Sequence, residues 1–125
     1  MISFKNVSKR YPDGYVALNN IDLSVEPGEM VFLTGHSGAG KSTLLKLIAA
    51  IERPTSGTIT ISGQSIAQLK LGAIPYLRRK IGFIFQDHKL LFDRNVFDNV
   101  LLPLQIGSFE NHMMVSRVRA ALDKV

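Results

Sequence analysis

Hydrophobic and polar residues alternate near the start of the chain: Ile2 and Phe4, and later Ile21, Leu23 and Val25, are each separated by polar neighbours. A period of two belongs to a strand with one wet face, and "PDG" at 12–14 and "EPG" at 26–28 are turn signals. Residues 2–25 are therefore predicted as antiparallel β structure. The pattern then changes, because "MVFLT" at 30–34 is almost continuously apolar, as suits a strand buried on both faces. Beyond a glycine-rich stretch, Leu44, Leu45, Leu47, Ile48 and Ile51 fall at helical spacing. That helix should end before Pro54, since a residue preceding proline is driven out of the α region and "RPTSG" is rich in turn formers.

Alternation returns in "TITIS" at 58–62, a strand, while "KIGFIFQ" at 80–86 reads as a second buried strand. A short helix interrupted near Pro103 is predicted over 96–104. Val115, Val118, Ala121, Leu122 and Val125 share one helical face, with no stop signal beyond them. This predicts a helix still running at the final residue, and hence a domain cut short.

Composition narrows the class. With 46% hydrophobic and 20% charged residues among 125, the chain suits one soluble globular domain with a packed core. No apolar run approaches the ~18 residues of a membrane span, and "MISFKNVSKRYP" lacks the apolar core of an export signal. Without cysteine there is no disulfide, thiolate-zinc or thiol-nucleophile chemistry, which fits a cytoplasmic setting. The net charge of +5 is densest at Arg78, Arg79 and Lys80. No aromatic residues interleave with that cluster as a nucleic-acid platform requires, so it is expected to be a solvated face rather than a nucleic-acid site.

The candidate chemistry lies in "GHSGAGKST", residues 35–43. Gly35, Gly40, Lys41 and Ser42 match G-x-x-x-x-G-K-[ST], a pattern that arises by chance on the order of 4 × 10⁻⁵ per starting position at average usage. A merely flexible Gly/Ser loop is thereby set aside. Glycines let the loop curl so that the backbone N–H groups of His36, Ser37, Gly38, Ala39 and Gly40 face phosphate oxygens. A helix N-terminus beyond the loop favours an anion. Lys41 is expected on the β and γ phosphates, Ser42 on a Mg²⁺ ion, and Thr43 on a further phosphate. No G-x-G-x-x-G is present, so a dinucleotide fold is not indicated, and the D-x-x-G and N-K-x-D elements of a GTPase are missing. A small-molecule kinase using Arg78 or Arg79 in a lid stays open from the residues alone.

The segments "GHSGAGKSTLLKLI", "RPTSG" and "LRRKIGFIFQDHKLLFDRNVFDNVLLPL" resemble the nucleotide-binding domain of ATP-binding-cassette proteins, and the last is especially similar to the cell-division branch of that family. The likeness runs from Ile2 to Val125. It implies an α/β fold, a P-loop NTPase of the ABC ATPase type with an N-terminal antiparallel β subdomain. Residues 1–125 would form the N-terminal portion, about half, of a single nucleotide-binding domain. ATP and Mg²⁺ are the implied cofactors. Tyr11 matches the aromatic that stacks on adenine, although an ordinary core aromatic is the alternative. Gln86 matches the glutamine that helps hold Mg²⁺ and senses the γ phosphate. "DHKLLFDRNVFDNV" resembles the surface that receives a membrane partner, with Leu90, Leu91, Phe92 and Phe97 expected mostly in the core.

Other family machinery is missing from these residues. The water-positioning carboxylate, the "LSGGQ" signature and the late histidine do not occur, so no catalytic residue is assigned. "LLFDR" at 90–94 and "ISGQS" at 61–65 imitate two of those elements in the wrong places, and His36, His88 and His112 are expected to be solvated or structural. The resemblance implies, for the intact protein, a cytoplasmic ATPase that dimerises at the inner membrane face. Its partner there would be an integral-membrane FtsX-like subunit. The alternatives are the ATPase of a lipoprotein or drug exporter and, for these residues alone, a nucleotide-binding module without turnover. A central sheet cut short is also expected to leave an open apolar edge.

Overall fold

The computed structural model describes residues 1–107 and 109–125. They form two compact units, Met1–Gly82 and Phe83–Val125.

In the first unit, β1 (Ile2–Arg10) pairs antiparallel with β2 (Val16–Val25) on one side and β3 (Ser56–Ile61) on the other. The two-residue β4 (Gln64–Ser65) completes the sheet order β2-β1-β3-β4. Phe4 lies opposite Leu23 and Ile59, so period-two alternation brings these apolar side chains to one face. Alternation alone would then turn Asn6 inward. Instead Asn6 takes a left-handed φ of 52°, the register shifts between Phe4 and Val7, and Val7 becomes fully buried. Asn20 does the same in β2 with φ 48°. The Asn6 N–H donates to the Asp22 Oδ1 at 2.8 Å and the Asn20 N–H to the Ser8 Oγ at 2.9 Å, so polar side chains satisfy both bulges.

Helix α1 (Lys41–Ile48) lays Leu44 and Leu47 against the core that Phe4, Val7 and Ile59 build. A short helix, α2 (Ile74–Arg78), adds Leu77. Arg78 Nε donates to the Ala49 carbonyl at 3.0 Å, and its terminal nitrogen to Ala50 at 2.9 Å. A cation thus meets the carbonyls that the end of α1 leaves unpaired, and Arg78 is a structural member of the basic cluster. Arg79 lies over the Tyr76 ring, 5.2 Å from its centroid.

The second unit contains α3 (Val96–Ile106) and α4 (Asn111–Leu122), which pack on each other. Asn95 caps α3 by accepting from the Asp98 N–H at 2.8 Å. Pro103 does not interrupt this helix as its sequence suggested: it is exposed, and α3 runs on to Ile106. Helix α4 buries Met114 and Val118 and stops at Leu122 rather than running to the end. Its final N–H groups tighten, with Lys124 bonding to Ala121 and Val125 to Leu122, and Val125 is fully exposed.

The two segments predicted as buried strands are neither strands nor buried. Among the described residues nothing pairs with 30–34 or 80–86, and Met30, Phe32 and Ile84 are 81%, 83% and 91% exposed. A strand exists through its ladder partners, and without them 30–34 stays exposed while 80–86 is covered only in part, with Ile81 half-buried against the core. Likewise Leu90, Leu91 and Phe92 are exposed rather than core, and Phe97 is half-buried. The loop that carries them is held by polar bonds: the Asn99 side chain accepts from the Leu91 N–H and donates to the carbonyls of Leu91 and Asn95.

Candidate functional site

The loop from Gly35 to Gly40 enters α1 with Gly40 as its N-cap, at φ 87° and ψ 0°. A Cβ there would strike the Ala17 carbonyl and the Leu18 side chain, so the loop can lie against β2 only because residue 40 is glycine. The first intrahelical bond runs from the Leu44 N–H to the Gly40 carbonyl at 2.9 Å. The N–H groups of Lys41, Ser42 and Thr43 therefore precede any intrahelical acceptor, and their dipoles add at one point.

Lys41 folds back over the loop, its Nζ donating to the carbonyls of Gly35 at 2.6 Å and His36 at 2.8 Å. The ammonium thus sits at the rim of the cradle, held by bonds that a stronger acceptor can replace. Ser42 is exposed, and among the described residues its hydroxyl makes no hydrogen bond, leaving an oxygen for a hard cation. His36 Nδ1 lies 2.7 Å from the Ser37 carbonyl, a contact within the loop itself. These features suit a triphosphate carrying Mg²⁺: glycine-lined N–H groups and a lysine for the anion, and a free hydroxyl for the ion.

Tyr11 follows β1 and joins the loop from the side. Its hydroxyl donates to the Glu52 Oε1 at 3.1 Å and lies 3.2 Å from the Thr43 Oγ1. Thr43 is buried. The half-buried Tyr11 ring is stacked with Tyr15, centroids 6.3 Å apart and planes 16° apart, and the Lys9 ammonium lies 5.1 Å from its centroid. The Tyr15 hydroxyl donates to the Gly38 carbonyl at 2.6 Å. Tyr15 went unnoticed in the sequence, yet its spacing carried the signal. "YPDGY" closes the β1–β2 turn, the Tyr11 N–H donates to the Tyr15 carbonyl at 2.8 Å, and residues on either side of such a turn emerge together.

Glu52, also missed, is the electrostatic centre of this side. Its carboxylate lies 3.3 Å from the Lys9 ammonium and 3.4 Å from that of Lys46. Burial by itself raises its pKa; the hydrogen bond from Tyr11 and the neighbouring charges of Lys9 and Lys46 outweigh it, holding the carboxyl below the usual range. Glu52 Oε2 receives no hydrogen bond and is neutralised through the Lys9 ion pair.

Gln86 belongs to the second unit, exposed at the start of a turn in which His88 and Lys89 take left-handed φ values of 55° and 51°. There the Lys89 ammonium bonds Asp87 at 2.6 Å and lowers its carboxyl pKa. His112 is exposed beside Glu110. Among the described residues, no three His, Cys, Asp or Glu side chains cluster as metal ligands, and no helix is long and apolar enough to cross a membrane.

An antiparallel sheet packed on a helix, with a glycine loop and lysine at that helix's N-terminus, defines a P-loop nucleotide-binding fold. Known proteins narrow the class. The profile of the ABC transporter family matches residues 18–125, and the chain belongs to that family. The cell division ATP-binding protein FtsE of Escherichia coli K12 is 58% identical over all 125 residues, which span 56% of that protein. FtsE of Bacillus subtilis is 46% identical, with 55% of its length covered. The methionine import ATP-binding protein MetN of Helicobacter hepaticus is 45% identical, with 36% covered. Among solved structures, the ATP-binding cassette MJ0796, in a dimeric post-hydrolysis state bound to ADP and Pi, superposes with a TM-score of 0.89 at 35% identity. The match covers 98% of this chain and 56% of that one. The chain thus spans about half the length of the curated FtsE proteins it matches.

Proposed function

We propose that this chain is the nucleotide-holding part of the ATP-binding subunit of an FtsE/FtsX-type complex. The intact protein would couple ATP binding and hydrolysis to an integral-membrane partner that regulates cell-wall hydrolases in division. The observation that carries the proposal is the cradle of residues 35–43, with three N–H groups ahead of the first helical bond and Lys41 poised at the rim. Gly35, His36, Ser37, Gly38, Ala39, Gly40 and Lys41 would hold the phosphates, Thr43 would contribute its backbone N–H, and Tyr11 would meet adenine. Ser42 would hold Mg²⁺, which would supply charge neutralisation for the phosphates, and Gln86 of the second unit keeps the magnesium-ligand role that the family resemblance implies. The ADP and Pi of the MJ0796 structure support nucleotide occupancy of this kind, and its dimeric state supports a homodimer of the intact domain.

The division role draws on the 58% identity to the E. coli protein. Attachment to the inner membrane face would come through the membrane partner. MetN, at 45% against 46% for the B. subtilis FtsE, makes the ATPase of a solute transporter the second reading. Two measurements test these claims. Calorimetric titration of the 125-residue chain with MgATP is expected to saturate at one site, to weaken about tenfold or more when EDTA removes the ion, and to proceed without phosphate release. Absence of saturation would remove the nucleotide assignment. Affinity purification of the intact tagged protein from detergent-solubilised membranes is expected to retain an FtsX-like subunit. Recovery of a solute permease in its place would overturn the division role.

A further inference from the structure

The hydrogen bonds around Tyr11 have a fixed direction. A tyrosine hydroxyl has one proton, and an ionised carboxylate only accepts. Glu52 Oε1, 3.1 Å away, takes the Tyr11 proton, so the contact at 3.2 Å leaves Thr43 as the donor to the Tyr11 oxygen. The Thr43 proton therefore turns away from the cradle. Three side chains from three places in the sequence form one line: Thr43 in the first turn of α1, Tyr11 after β1, and Glu52 beyond α1. Glu52 is itself fixed, with Lys9 and Lys46 on its two oxygens and Lys9 further bonded to the Arg53 carbonyl at 2.9 Å.

We infer that Glu52 is a positioning residue for nucleobase recognition: by accepting the Tyr11 hydroxyl it sets the Tyr11 ring against α1 and ties the base side of the site to the phosphate side. The inference rests on the nucleotide-binding function proposed above. It predicts that Glu52 governs the share of affinity that comes from the base and not the share that comes from the phosphates. Losing one hydrogen bond that orients a stacking partner is expected to lower that share about three- to tenfold.

The quantity to measure is the ratio of the dissociation constants for magnesium tripolyphosphate and MgATP, in the wild-type chain and in Glu52→Ala, Tyr11→Phe and the double variant. The expected result is a ratio about three- to tenfold lower in each single variant and no lower in the double one, because both changes cut the same line. A ratio within about twofold of wild type in both single variants would overturn the inference, as would full additivity in the double variant. Glu52→Ala acting only by loosening the fold would weaken both ligands in step, which also counts against it. Tyr11→Phe, which keeps the ring, carries the test if Glu52→Ala fails to fold. If the wild-type chain binds neither ligand, the nucleotide assignment itself falls and takes this role with it; if it binds both with equal affinity, only the base-side inference is overturned.

Discussion

Lys41→Ala is expected to lower MgATP affinity about 100-fold while leaving the unfolding midpoint nearly unchanged. Two charge-assisted contacts to phosphate oxygens, each contributing roughly 1–2 kcal/mol net, account for a loss of that order. The same ammonium also draws the Gly35 and His36 carbonyls together, so its removal loosens the cradle as well as discharging it. Arginine is a poor replacement, because a planar fork does not fit a rim shaped around a compact ammonium. Titration of both variants beside wild type decides the matter. An unchanged affinity in Lys41→Ala would show that the loop does not hold the phosphates.

Gly40→Ala should be among the most damaging single methyls in the first unit. The left-handed φ of 87° costs a non-glycine residue about 1–2 kcal/mol. The added Cβ meets the Ala17 carbonyl and Leu18, an overpacking worth about 1–3 kcal/mol more. Gly14→Ala serves as the control, since its φ of 89° is as strained but nothing lies within 4 Å of the added atom. Urea unfolding is expected to show a loss of about 1–2 kcal/mol for Gly14→Ala and about 2–5 kcal/mol for Gly40→Ala. Equal losses would mean that the loop does not lie against β2.

The site was legible wherever its chemistry is local. Gly35, Gly40, Lys41 and Ser42 stand within eight positions, and a loop running into a helix needs no distant partner to present its N–H groups. Tyr15 was legible only in its place beside Tyr11, which the turn signals; its bond to Gly38, 23 positions away, was not, and nor was Glu52, whose role comes from Tyr11, 41 positions away. Arg78 is a similar case. Its position in a basic run suggested a solvated face, whereas two carbonyls at the end of α1 give it a structural task.

By itself the sequence determined the β1–β2 hairpin, α1, β3 and the glycine-rich loop that opens α1, since period, turn chemistry and glycine placement act over a few residues. Tertiary structure decided the remainder. Which apolar runs become buried depends on partners: residues 58–61 find β1 and are strand, whereas 30–34 and 80–86, more apolar still, find no ladder among the described residues, the first staying exposed and the second at most half-buried. Bulges at Asn6 and Asn20 reset which residues face inward, a choice that alternation cannot express. The direction of the Thr43–Tyr11–Glu52 line likewise follows from three side chains meeting, because a hydroxyl proton is assigned only by the acceptor that takes it.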